Sequence, residues 1–251
     1  MRGFLLIAGW LVGLGAGVAQ AGSVLVAVAA NFAEPAARIA EAFGKAEGHE
    51  VRLTTGATGK LYAQIKAGAP FEVLLSADAA TPARLEAEGA AKPGRRFTYA
   101  IGRLALWSPE AGRIGPDPAR LLADPGLRHL AIANPALAPY GAAAQQVLTR
   151  LGLWDRLSGR LVMGENIGQA HAMVASGAAP LGFVALSALI APGKPAAGSR
   201  WEVPQDLYDP IRQDAVLLAA GEGKPAAEAF FAFLRSPAAR AIIRDHGYGG
   251  E

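Results

Sequence analysis

Short apolar runs alternate with stretches of helical spacing along this chain. Runs at residues 23–29, 51–54, 72–76 and 128–133 predict strands, while apolar residues recurring at helical spacing over 34–47 and 61–67 predict helices between them. Strand and helix in alternation imply an α/β architecture whose sheets are covered on both faces. Two further helices are expected at 226–234 and 237–245, the second with Ser236 as its cap and Pro237 in its first turn. Residues 96–107 and 211–218 each form an extended stretch without helical spacing, and the second follows a Pro/Gly-rich region at 191–204. A chain that leaves one lobe on the first stretch and returns on the second would divide into residues 22–102 plus 212–251 and residues 103–211. One continuous sheet is the alternative that the pattern leaves open.

The polar residues fall in a telling place. Ala29-Ala30-Asn31-Phe32 follows the first strand, Thr55-Gly56-Ala57-Thr58-Gly59-Lys60 follows the second, Pro139-Tyr140-Gly141 follows the strand at 128–133, and Glu165-Asn166-Ile167-Gly168-Gln169 leads another helix. A helix start exposes unpaired backbone N–H groups and the positive end of the macrodipole. Four such starts converging on one cleft would bind an anion without a buried lysine or arginine.

Composition narrows the setting. Met1-Arg2, an apolar stretch from Phe4 to Val18 and Ala19-Gln20-Ala21 read as an export leader over residues 1–21 with an A-x-A cleavage site. The whole chain carries +3, and loss of the leader removes one arginine and no acid, leaving +2. That is too little to favour nucleic acid or a membrane surface. There is no cysteine, so disulfides, thiolate metal sites and cysteine nucleophiles are excluded together. At 52% hydrophobic residues, a mature chain of about 230 residues can stand on its core alone.

Catalytic patterns are missing. There is no G-x-S-x-G or H-E-x-x-H motif, and His49, His129, His171 and His246 lack metal-ligand spacing. Gly56-Ala57-Thr58-Gly59-Lys60 resembles a phosphate loop but has two residues between its glycines and Leu61 after the lysine, which disfavours nucleotide hydrolysis. Taken singly, Asn31 is a helix cap or a ligand donor, Thr58 a cap or a hydroxyl donor, and Tyr140 a packing aromatic or a phenol donor. Ile167 can contribute only through its backbone N–H.

Together, Ala29-Ala30-Asn31-Phe32, Thr55-Gly56-Ala57-Thr58-Gly59, the block from Ala63 to Asp78, Ala138-Pro139-Tyr140-Gly141 and the run Ala179 to Ala185 resemble the periplasmic molybdate-binding proteins of ABC importers. The likeness spans essentially the whole mature chain. It implies a two-lobed periplasmic binding fold of type II, each lobe a mostly parallel sheet flanked by helices, joined by two extended crossovers. It further implies a non-enzymatic, periplasmic monomer that needs no cofactor and delivers molybdate, and tungstate with it, to an inner-membrane permease. The ligand set carried over is Ala30, Asn31, Thr58, Tyr140 and Ile167, with no side chain bonded directly to the metal. Some members have serine where Asn31 stands and a tyrosine ligand where Ala185 stands, so Tyr140 is expected to supply the phenol from another loop. Molybdate suits this donor set because it is fully deprotonated, whereas monohydrogen phosphate would leave its proton unpaired at a cost of ~1–3 kcal/mol. Sulfate must be rejected by cavity size. Competing readings are a binder of sulfate or another tetrahedral oxyanion, a ligand-sensing partner of a receptor, and a small periplasmic enzyme acting on phosphorylated or sulfated substrates.

Overall fold

In the computed structural model, which describes residues 22–190, 192–193 and 197–250, the elements follow one another as alternating strands and helices. The expected leader lies outside the described residues. In chain order they are β1 (Ser23–Ala29), a 3-10 turn (Ala30–Phe32), α1 (Ala33–Glu47), β2 (Glu50–Gly56), α2 (Thr58–Lys66), β3 (Val73–Leu75), α3 (Ala80–Ala87) and β4 (Arg96–Gly102). The chain continues through β5 (Leu104–Ser108), α4 (Pro118–Leu122), β6 (Leu130–Ala133), α5 (Pro139–Arg150), α6 (Trp154–Leu157), β7 (Leu161–Gly164), α7 (Ile167–Ala175), β8 (Gly182–Ala185), α8 (Ser187–Ile190) and β9 (Ser199–Glu202). It closes with β10 (Ile211–Leu217), α9 (Pro225–Phe233) and α10 (Pro237–Asp245). Among the described residues no helix is long and apolar enough to cross a membrane.

The strands form two five-stranded sheets, ordered β2-β1-β3-β10-β4 and β7-β6-β8-β5-β9. In the first, β1 runs parallel to β2 and β3, and β10 runs antiparallel to β3 and β4. In the second, β6 runs parallel to β7 and β8, and β5 runs antiparallel to β8 and β9. This is the two-lobed fold, with the single-sheet alternative excluded; each sheet is mixed, one strand running against the other four, rather than mostly parallel in its pairing. Each sheet has its own core. Val24, Val26, Val28, Phe32, Ile39, Phe43 and Phe230 pack in the first lobe, and Leu104, Leu106, Ile132, Tyr140, Val147 and Phe183 in the second.

The crossovers differ in one respect from the sequence reading. Residues 96–107 are two strands of different sheets with only Arg103 between them, so the first crossing is a single residue. The extended stretch at 211–218 does not itself cross: β10 belongs wholly to the first sheet, and the return is made by residues 203–210. The reason is pairing, because β10 needs β3 and β4 as neighbours along its length. Ile211, at its start, pairs with Gly102 yet buries its side chain against the second lobe's core.

Phe32 locks the 3-10 turn onto the first core. It is fully buried, with Tyr99 and Tyr248 edge-on to its ring at centroid distances of 4.7 and 5.3 Å. Phe32→Ala is expected to destabilise the ligand-free protein by ~3–5 kcal/mol in denaturant unfolding. A loss below about 1 kcal/mol would show that the turn is held by something else.

Candidate functional site

Four element starts meet between the lobes. A small cavity there is lined by Ala29, Ala30 and Asn31 at the end of β1, Gly56, Ala57 and Thr58 at the end of β2, Ala138, Pro139 and Tyr140 at the head of α5, and Asn166 and Ile167 at the head of α7, with Ala77 completing it. The free space there is small, about 10 Å3, no more than a single water needs. All five residues singled out in the sequence, Ala30, Asn31, Thr58, Tyr140 and Ile167, lie on its wall. Among the described residues lining it there is no lysine, arginine, histidine, aspartate or glutamate.

Backbone donors are left without helical partners on this wall because their helices have just begun. Ala30 and Asn31 open the 3-10 turn, Thr58 is the first residue of α2, Tyr140 the second of α5 and Ile167 the first of α7, so none of these N–H groups has an acceptor within its own helix. Pro139, which has no N–H, occupies the first position of α5. Asn166 caps α7 by accepting from Gln169 N at 3.0 Å, which satisfies the third N–H and leaves the first two.

Thr58 is not a cap: the capping position belongs to Ala57, and the Thr58 side chain makes no capping bond. Instead Thr58 Oγ1 accepts from Ala77 N at 3.2 Å, which leaves its own proton to donate. Asn31 is not a cap either. Its Nδ2 donates to Gln213 Oε1 at 2.8 Å and to the Tyr248 hydroxyl at 3.1 Å, so both amide hydrogens are committed to protein acceptors and its backbone N–H is the group left for a ligand. Tyr140, fully buried, accepts from Gln213 Nε2 at 3.3 Å.

Behind the wall lies a polar cluster that the sequence did not announce. Tyr248 donates to Asn31 O at 2.7 Å, Ser187 Oγ stands 3.0 Å from the Tyr248 hydroxyl, and the Tyr99 hydroxyl reaches Ser76 O at 3.0 Å and Gln213 Oε1 at 3.1 Å. Burial holds the Tyr99 and Tyr140 phenols well above the usual tyrosine range. Tyr248 is pushed up to about 12 by burial, against hydrogen bonds from Ser187, Asn31 and Tyr140 that pull it down. All three phenols are therefore neutral hydroxyls at physiological pH. The available sequence signal was the polar pair Gln213-Asp214 inside a mostly buried strand.

The lobes touch around the cavity. Gly59 N donates to Leu137 O at 3.0 Å across the cleft, and Lys60 pairs with Glu165 at the rim. A Cβ at Gly59 would lie 3.2 Å from Leu137 O, so the small residue permits this approach. Ala185 does not line the small cavity but an adjoining one of about 170 Å3, with Ser187, Gly168 and His171. Among the described residues no group of acidic, histidine or cysteine side chains could hold a metal ion.

The comparisons agree with this architecture. The family model described as bacterial extracellular solute-binding protein matches residues 24–249. Molybdate-binding protein ModA of Azotobacter vinelandii is 52% identical over 243 residues, covering 95% of this chain and 96% of that protein. Its namesake from Rhodobacter capsulatus is 51% identical over 230 residues, covering 92% of this chain and 89% of that protein. The solved structure of an Azotobacter vinelandii periplasmic molybdate-binding protein superposes with a TM-score of 0.87 at 45% identity, covering 91% of this chain and 99% of that one. This chain therefore belongs to the bacterial extracellular solute-binding proteins.

Proposed function

We propose that this protein captures molybdate between its lobes and delivers it to an ABC importer. The observation that carries the reading is the uncharged wall of the interlobe cavity: residues with backbone N–H groups and neutral hydroxyls from four element starts, with no charged side chain. A small, doubly charged anion that carries no proton is the complement of such a wall. Monohydrogen phosphate would bring a proton with no carboxylate to receive it, and the unpaired donor would cost ~1–3 kcal/mol. The two relatives at about half identity, both molybdate-binding by name, support the same ligand. Tungstate, with the same charge and shape, is bound as well.

In this reading the donors are the backbone N–H groups of Ala30, Asn31, Thr58, Tyr140 and Ile167 and the hydroxyls of Thr58 and Tyr140. The anion is ligand rather than cofactor, and no residue in the wall is placed to act as nucleophile or general base, so the protein works as a binder without catalysis. It is exported, loses residues 1–21, and acts as a monomer in the periplasm beside its permease.

Binding requires the closed, folded state, so ligand stabilises it by RT ln(1 + [L]/Kd), about 4 kcal/mol at a thousandfold excess over Kd. Millimolar molybdate is expected to raise the melting temperature of the mature protein, and an unmoved transition would sink the proposal. Thr58→Val deletes a hydrogen bond to a charged oxygen, an expected loss of ~1.5–3 kcal/mol or roughly tenfold to 150-fold in affinity. Because the change also strips Ala77 N of its acceptor, Thr58→Ser is the control that should restore both affinity and stability. Tyr140→Phe is expected to cost ~1.5–3 kcal/mol of binding with little change in the ligand-free fold. Calorimetric affinity within about twofold of the parent would leave Tyr140 contributing through its backbone alone.

A further inference from the structure

We propose that Gln213 is the positioning residue that couples the two halves of the anion site, holding the Asn31 turn of the first lobe and Tyr140 of the second in one register. The inference rests on the molybdate reading above. Gln213 is fully buried on β10, and its side-chain amide is used at both ends: Oε1 accepts from Asn31 Nδ2 at 2.8 Å, and Nε2 donates to the Tyr140 hydroxyl at 3.3 Å. Asn31 sits in the first lobe and Tyr140 in the second, so this one side chain bridges the lobes directly behind the cavity.

Local strand geometry aims it there. The pairing of β10 with β4 shifts between Gln213 and Asp214, matching Gln213 to Ala100 and Asp214 to Thr98, so Tyr99 is the extra residue of a bulge. Asp214 is bonded on by Thr98 Oγ1 and Arg96, each at 2.8 Å, while Gln213 joins Tyr99 in the buried cluster. The junction with the other lobe is equally specific. A Cβ on Gly102, the last residue before the one-residue crossover, would stand 2.2 Å from the Tyr140 hydroxyl and 2.6 Å from Gln213 Nε2. Glycine at this position is what lets the phenol and the amide meet beside the crossover.

The amide accepts from Asn31 at its oxygen and donates to Tyr140 at its nitrogen, so both ends are used at once. By accepting from Asn31 it holds the turn that presents the Ala30 and Asn31 N–H groups. By donating to Tyr140 it holds the phenol of the second lobe in place at the cavity wall. Closure on the anion and alignment of the donors thus share one side chain.

The test is a double-variant cycle on the mature protein, read by calorimetric titration with sodium molybdate and by melting without ligand. Gln213→Met should weaken molybdate binding by about tenfold or more, chiefly through faster dissociation. Combined with Tyr140→Phe it should lose no more than about twofold beyond the weaker-binding single variant, because both changes break the same link. Gly102→Ala approaches the link from the backbone and removes no polar group. It should lower both affinity and ligand-free melting temperature, and Tyr140→Phe should recover part of the melting loss by deleting the oxygen that the new methyl meets. Multiplicative losses in the affinity cycle, affinity of Gln213→Met within about twofold of the parent, or no recovery in the melting cycle would overturn the proposal. Should Gln213→Met not fold, the Gly102 and Tyr140 pair decides the matter. The melting cycle needs no ligand, so a parent that fails to bind molybdate would refute the ligand reading while the coupling is still judged.

Discussion

An anion carried out of water must find every lost hydrogen bond again, and a site made only of donors can satisfy only an anion that has nothing to donate. Much of this structure follows from that condition. A neutral donor wall made of backbone N–H groups exists only where helices begin, and a single helix start supplies one or two such groups. Several starts must therefore be aimed at one point, and two sheets facing each other provide them: β1 and β2 deliver their loops from one side, α5 and α7 begin on the other. The small residues of the wall, Ala29, Ala30, Gly56, Ala57, Ala77 and Ala138, allow the backbone to close in.

The second layer explains why the donors stay in place. Thr58 accepts from Ala77, Asn31 spends its amide on Gln213 and Tyr248, and Tyr140 accepts from Gln213, so each polar side chain at the wall is fixed by a partner behind it. The Thr58 hydroxyl, which accepts from Ala77 N, keeps its proton for the cavity. Burial keeps the phenols protonated, since an ionised tyrosine there would both lose its donor and repel the ligand. The cluster joins the C-terminal Tyr248, α8 through Ser187 and β10 through Gln213, and so ties distant parts of the chain to one cavity.

Much of this was legible in the sequence, and the reasons are local. Apolar runs set β1, β2, β3 and β6, and small or polar residues just after them marked the helix starts, because such residues are what a backbone-lined anion site tolerates. The single-residue crossover at Arg103 was hidden because two strands of different sheets follow each other with no turn signal. The return crossover was placed too late, at 211–218 instead of 203–210, because β10 reads as extended whichever sheet it joins. The roles of Asn31 and Thr58 were ambiguous for a different reason: capping and ligand donation use the same residue types, and only their partners, Gln213, Tyr248 and Ala77, separate the two. Gln213 itself carried almost no signal, since its importance lies in contacts across 182 and 73 residues of chain.

The central claim is that the cavity selects by protonation and size through donors alone. Competitive calorimetric titration of the mature protein with molybdate, sulfate and phosphate at neutral pH tests it most directly. The account predicts tight binding of molybdate, with phosphate weaker by at least about tenfold because its proton is unpaired and sulfate weaker because its shorter bonds leave donors out of reach. Phosphate binding as tightly as molybdate would contradict the account, since no carboxylate stands in the wall to receive its proton.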